Sequence, residues 1–388
     1  MSTLAAQKTR QALATLAPGE LWIFLTSEGS DPAVPLVFDT ALSGRAALML
    51  HPERGAIALC ANYDRGHLEL HGDYAEIRAY TTSFSEAFTA WLRELAPRVV
   101  YLNYSPTDIL SDGLTHGQYL LLEALLRESA PQAEIRSSAH HLARVRGVKT
   151  LEEVARLRRA IEATQQVYER LRSTLAAGQT EREIQTRMKR IAADLGVTPY
   201  LGGHDGPLVC INRVGLAHRG PTDTPLEPGD LLILDTGMAT NGYYSDIART
   251  LYVRGPGESD APAELRAVFA GIYAAISAAA EALRPGTKGF EVDAVARRTL
   301  REHGLPELSH ATGHQIGRSV HDGGTLLGPA WERYGEAPHL EVLAGQVFTL
   351  EPTVVQSPLP SMIVEENVLV TESGMEWLSV RQEELWTV

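Results

Sequence analysis

The apolar positions of this chain change period along its length, and the changes divide it. Through residues 1–147, short apolar runs at 21–26, 45–50, 56–61, 75–80 and 99–103 predict strands. Apolar residues at helical spacing predict helices over 4–16, 84–95 and 119–128, between or beside the strands. That is an α/β pattern. It contains no Gly-rich phosphate loop and no cluster of catalytic residue types. The pattern breaks at 139–147, which places a domain boundary near residue 147 and gives units 1–147 and 148–388.

A long helix is expected to start at Thr150, with Glu152 and Glu153 at the positive end of its dipole. Thr180-Glu181-Arg182-Glu183 fits a capping box and starts another. From Leu208 onward strand character dominates, interrupted by two long helical segments at 262–283 and 291–303. The second unit therefore reads as two helix-plus-sheet halves. Its class is α+β, with helices on one side of an antiparallel sheet.

Two apolar strands in this unit end on an acid. Leu231-Leu232-Ile233-Leu234 runs into Asp235, a turn follows with Asn241-Gly242, and Tyr243 to Val253 resumes strand composition. A hairpin centred between Thr240 and Asn241 sets Asp235 directly opposite Asp246, with Cβ atoms about 5 Å apart. Val347-Phe348-Thr349-Leu350 likewise runs into Glu351, and 362–370 is its return strand after a Pro-rich turn. Pairing centred near Pro358 sets Glu351 opposite Glu365. Like charges so placed repel, and one of each pair would have to keep a proton. Divalent cations remove that conflict. Four carboxylates gathered on one face are stable only around such ions.

Composition narrows the setting. Of 388 residues, 44% are apolar and 21% charged, enough for large cores and too few charges for disorder. A net charge of −13 disfavours nucleic acid and anionic membranes as partners. The Ala-rich stretch 267–283 contains Glu281 and reads as a buried helix, not a membrane span. The first eight residues lack the basic start and apolar core of a signal peptide, so the expectation is a cytoplasmic protein. Cys60 and Cys210, far apart in apolar runs, read as two buried thiols.

Candidate histidines are His310, His314 and His321, crowded into a Gly-broken segment expected to be strand and loop, and His218 in Gly-Leu-Ala-His-Arg-Gly-Pro. An oxygen-rich site with one imidazole suits Mn²⁺, Co²⁺, Fe²⁺ or Zn²⁺.

The ordered set Ile233-Leu234-Asp235-Thr236-Gly237, Ser245-Asp246-Ile247-Ala248-Arg249-Thr250, Thr312-Gly313-His314-Gln315-Ile316-Gly317, Leu350-Glu351-Pro352 and Val364-Glu365-Glu366-Asn367 resembles the pita-bread metallopeptidases. These include methionine aminopeptidase, aminopeptidase P, prolidase and creatinase. The resemblance spans about residues 150–388. It implies a pita-bread catalytic domain and five ligands to two divalent ions: Asp235, Asp246, His314, Glu351 and Glu365, with Asp246 and Glu365 bridging. Mn²⁺ is the first choice, Co²⁺ or Zn²⁺ the alternatives.

The same resemblance makes Glu351 the acid that takes and returns a proton. It gives His218 and His321 catalytic, substrate-facing roles and places His310 at the substrate pocket. The amino-terminal unit resembles the creatinase and prolidase α/β domain, which implies a homodimer and a limit on substrate length. The implied activity is that of an atypical bacterial Xaa-Pro dipeptidase acting on peptides with proline at the second position. Aminopeptidase P, cutting longer peptides, is the alternative, and an inactive peptide-binding scaffold is the alternative of another class. The chain departs from the family pattern at Val355 (commonly Tyr), Ile363 (commonly Arg) and Asp322 (commonly Glu).

Overall fold

A computed structural model describes residues 4–200, 206–216, 219–355 and 361–388. The chain forms two compact units, Met1–Arg146 and Gly147–Val388.

The first unit is built on one six-stranded mixed sheet. Its strands are β1 (Glu20–Thr26), β2 (Ala46–His51), β3 (Gly55–Ala61), β4 (Glu76–Tyr80), β5 (Val99–Leu102) and β6 (Glu134–Ser137), in the order β4-β3-β2-β1-β5-β6. The central strands are buried on both faces, so successive residues feed different cores. Trp22, Phe24, Leu48 and Leu50 pack on one side, and Leu21, Ile23, Leu25, Ala47 and Met49 on the other. The predicted strands all form. The break expected at 139–147 does not: a helix spans Ala139–Gly147, with Leu142 and Val145 buried. Two large apolar residues in nine are too few to show a period against two arginines and two histidines.

In the second unit, helices Leu151–Arg172 and Glu181–Asp194 start on capping boxes at Thr150 and Thr180, each closed by a Glu at the third helical position. They pack with the sheet formed by β7 (Thr198–Tyr200), β8 (Leu208–Ile211), β9 (Leu231–Thr240), β10 (Tyr243–Tyr244) and β11 (Ile247–Tyr252). Helices Ala263–Ala282 and Gly289–Glu302 cover the second half. There β12 (Val347–Leu350), β13 (Thr353–Val354), β14 (Met362–Ile363), β15 (Glu366–Val370) and β16 (Met375–Trp377) pair antiparallel, and β17 (Trp386–Thr387) returns parallel to β11.

Ala263–Ala282 is long and apolar enough to cross a membrane by length and composition alone. Its Leu265, Val268, Phe269, Ile272, Ala275, Ile276 and Ala279 instead form one face, buried against Phe348, Leu350, Val364 and Val368. That is the spacing of a core helix.

Candidate metal centre

The first hairpin turns at Asn241-Gly242, whose φ values of 49° and 74° fit a two-residue hairpin turn with both central residues left-handed. Thr240 therefore faces Tyr243, and the same register runs on to Thr236–Ile247 and Asp235–Ala248. This corrects the expected turn centre by one residue and the pairing by two. Asp235 faces Ala248, and Asp246 is displaced along the hairpin toward Gly237. A slip of two keeps both aspartates on one face, because side chains alternate with period two. Gly237 is required there: a Cβ would stand 1.8 Å from the Ser245 carbonyl oxygen.

The second hairpin keeps the expected register. Leu350 faces Glu366 and Thr353 faces Ile363, which puts Glu351 opposite Glu365 between them. Neither acid spends its amide on the other. The Glu351 N–H donates to Thr312 O (2.8 Å) and the Glu365 N–H to Ala248 O (3.1 Å). Those bonds draw the two hairpins and the histidine segment together. Thr349 completes the stitch: its N–H donates to His314 O, and its hydroxyl accepts from the His314 N–H.

Ligand atoms of Asp246, His314 and Glu365 all lie within 4.8 Å of one another. His314 Nε2 stands 3.3 Å from Glu351 Oε1 and 3.8 Å from Asp246 Oδ2. Asp235 joins the group electrostatically, for its charge raises the pKa of Asp246, Glu351 and Glu365. Burial is the larger cause in each. It pushes Asp235 up to about 7, and Asp246, Glu351 and Glu365 well above the carboxylate range. Burial, then the neighbouring His321, pushes His314 down to about 3, which leaves a neutral imidazole able to donate a lone pair.

These residues fit divalent cations. Asp246 Oδ1 and Glu365 Oε1 are buried without a hydrogen-bond partner, an unfavourable state for a carboxylate unless a cation meets it. Four acids and one neutral imidazole form a hard, mostly oxygen donor set.

The other histidines divide. The His321 ring sits edge-on to His314, centroids 4.3 Å apart at 72°, and is itself exposed. His310 is half-buried, its Nδ1 2.7 Å from Ala311 O, and burial lowers its pKa. It is close enough for its charge to lower His314. His218 lies outside the described residues. Of the positions that depart from the family pattern, Val355 is 57% exposed and Ile363 is buried.

Several supporting residues carry no role in the sequence reading. Arg249 donates to the Glu365 carbonyl (2.7 Å) and pairs with Glu366 (3.0 Å), both buried. Asn367 donates to the Asp246 carbonyl. The Tyr168 hydroxyl donates to Ile247 O (2.5 Å) and Leu234 O (3.3 Å), tying the strands that carry both aspartates. Asp293 accepts from the Thr312 amide and hydroxyl, while Arg297 donates to Leu308 O and His310 O. The available signals were an Arg and a Glu inside apolar strands, and an Asp and Arg four apart on a helix. Such charges need buried partners.

Two open-faced hairpins whose inner acids converge on one histidine, roofed by paired helices, define the pita-bread peptidase fold. Solved structures with this fold include an Xaa-Pro dipeptidase from Bacillus anthracis (TM-score 0.72, 20% identity, 99% of this chain and 100% of that one). An X-Pro aminopeptidase from Thermotoga maritima aligns with TM-score 0.69 at 20% identity, over 95% and 97% of the two chains. The model of metallopeptidase family M24 matches residues 155–372, more than half of the sequence, and the chain belongs to that family. Among sequence relatives, the Xaa-Pro dipeptidase of Pyrococcus furiosus is 28% identical over 242 residues, 62% of this chain and 65% of that protein. A probable dipeptidase, PepE, of Mycobacterium tuberculosis is 33% identical over 240 residues, 60% of this chain and 58% of the relative. The match thus spans just under two thirds of these relatives' lengths.

Proposed function

We propose that this protein hydrolyses the Xaa-Pro bond of dipeptides with two divalent cations, Mn²⁺ first among them. The observation that carries this reading is the knot of Asp246, His314 and Glu365, with Glu351 beside His314, Asp235 close enough to raise the other acids, and two buried carboxylate oxygens lacking partners. Relatives named as dipeptidases support the substrate class.

Bound between these residues, the ions would supply Lewis acidity and a water acidic enough to attack at neutral pH. The chain supplies the rest. Glu351, its pKa raised by burial and by Asp246, is suited to accept a proton and return it to the leaving nitrogen. That return matters for proline, whose tertiary amide nitrogen leaves only once protonated. His321, exposed beside His314, donates a hydrogen bond to the developing oxyanion or the substrate backbone. His218 shares that role, and His310 borders the space for the proline ring. The same reading places the protein in the cytoplasm as a homodimer.

A panel of Xaa-Pro dipeptides and tripeptides, each assayed with Mn²⁺, Co²⁺ and Zn²⁺, tests the proposal. Cleavage of dipeptides supports it. Cleavage of longer peptides alone assigns aminopeptidase P activity, and no cleavage with stoichiometric metal bound leaves a binding scaffold.

A further inference from the structure

The loop that carries His321 folds back on its own start. Asp322 N–H donates to Gln315 O (2.9 Å) and Gly317 N–H to Ser319 O (3.0 Å), while Ile316 N–H holds the start of the loop to Val347 O (3.1 Å). The far end is fixed by a side chain. Asp322 Oδ1 accepts from the Ser319 N–H (3.2 Å), and Asp322 Oδ2 meets Lys149 Nζ at 2.6 Å.

Both charged side chains are only 1% exposed. The space they fill is left by a missing side chain. A Cβ on Gly317 would stand 2.0 Å from Asp322 Oδ2 and 2.6 Å from Lys149 Nζ. Along the chain, an exposed His321 is followed directly by a buried Asp322. Asp322 is held by Lys149, and the His321 ring lies at 72° to that of His314 with centroids 4.3 Å apart.

A pair buried this deeply contributes little net stability, because desolvating two charges offsets most of their attraction. What it supplies is position. The backbone that carries the cation is anchored, since Lys149 N–H donates to Gly345 O (2.9 Å) and Thr150 opens a capped helix immediately after it.

We infer that Lys149 is a positioning residue which, through Asp322, fixes the His321 imidazole relative to His314. This rests on the reading above that His321 meets substrate, and it adds a residue from the start of the unit to the apparatus that orients it.

The test is a double-mutant cycle on the full, metal-loaded chain, with Lys149→Met, His321→Ala and their combination. Lys149→Met is expected to lower kcat on an Xaa-Pro dipeptide about 10- to 100-fold, the scale of misplacing one group by about 1 Å. Metal stoichiometry and KM should change little, and Lys149→Arg should recover part of the loss. The combined variant should be no slower than His321→Ala alone. Additive losses overturn the inference.

If Lys149→Met does not fold, Lys149→Met/Asp322→Leu, an apolar replacement of the pair, takes its place in the cycle. If the wild type cleaves no Xaa-Pro peptide, the functional proposal fails separately. The inference is then read from ring ¹⁵N–¹H spectra of histidine-labelled, zinc-loaded protein. The peak absent in His321→Ala must shift in Lys149→Met, and an unmoved peak overturns the inference.

Discussion

His314 Nε2 and Glu351 Oε1 face each other at 3.3 Å, a neutral imidazole against an acid that burial and Asp246 hold well above its ordinary pKa. Neither group is charged in that arrangement, and both are ready to become ligands once a cation draws off the acid's proton. On the proposed function, Glu351→Ala removes both a ligand and the proton carrier. Turnover should fall by roughly 10³-fold or more, as when one preorganised group is lost from a charge-stabilising site. Metal content by elemental analysis should drop below that of the wild type. Near-normal turnover with full metal would remove Glu351 from the mechanism.

Metal binding should be strongly pH-dependent. Asp235 is pushed up to about 7, and three more acids are raised well above the carboxylate range, so the metal-free site holds protons at pH 6 that coordination must expel. Affinity for Mn²⁺ should rise with pH between about 5 and 7, and calorimetry in two buffers should show net proton release. The contribution of these acids to the stability of the metal-free protein should move the opposite way. These acids bind more protons folded than unfolded, so the stability they contribute falls as pH rises from about 4 toward 7. His314, pushed down to about 3, opposes this between 3 and its ordinary value, as do the lowered His51, His140, His141 and His310 elsewhere, so the contribution of the four acids is read as the difference from an Asp246→Asn/Glu365→Gln variant. Thermal melts of both proteins with chelator present check the sign; a wild-type melting temperature that gains on the variant's as pH rises over that range would contradict it.

Gly237→Ala introduces a Cβ 1.8 Å from the Ser245 carbonyl oxygen, a backbone atom that cannot rotate away. Strand β9 or the return segment must shift, at about 1–3 kcal/mol or more. Because Asp246 follows Ser245, metal affinity should weaken along with stability. Denaturant melts and metal titration of the variant measure both, and wild-type values in each would contradict the register described here.

Tyr168→Phe keeps the ring and removes the hydroxyl that ties Leu234 O and Ile247 O. A loss of about 1 kcal/mol is expected from denaturant unfolding, the usual net value of a buried hydrogen bond. Activity should fall modestly, since the bond lies behind the aspartates rather than among them.

Much of this architecture is legible in local patterns. The helix start at Thr150, the capping box at Thr180, the strands of the first unit and the strand that ends just before Glu351 announce themselves through short-range signals, whereas the strand expected to end on Asp235 runs on to Thr240 because pairing with its neighbours outweighs the turn-forming residues after it. The Glu351–Glu365 register follows from counting outward from the Pro-rich turn. The Asp235 register was misplaced by two because Asn241-Gly242, and not Thr240-Asn241, occupies the turn. The helix Ala139–Gly147 was missed because its apolar face is only two residues wide.

The sequence by itself determined which side chains could bind cations and that both hairpins would turn their acids to one face, because alternation in a strand is a local rule. Only the tertiary structure decided that the two faces meet over His314, and that Arg249, Asn367 and Lys149 stand behind them. Those contacts join residues more than a hundred positions apart. No periodicity along the chain encodes them; they arise when separate hydrophobic faces find the one packing that leaves no charge buried alone.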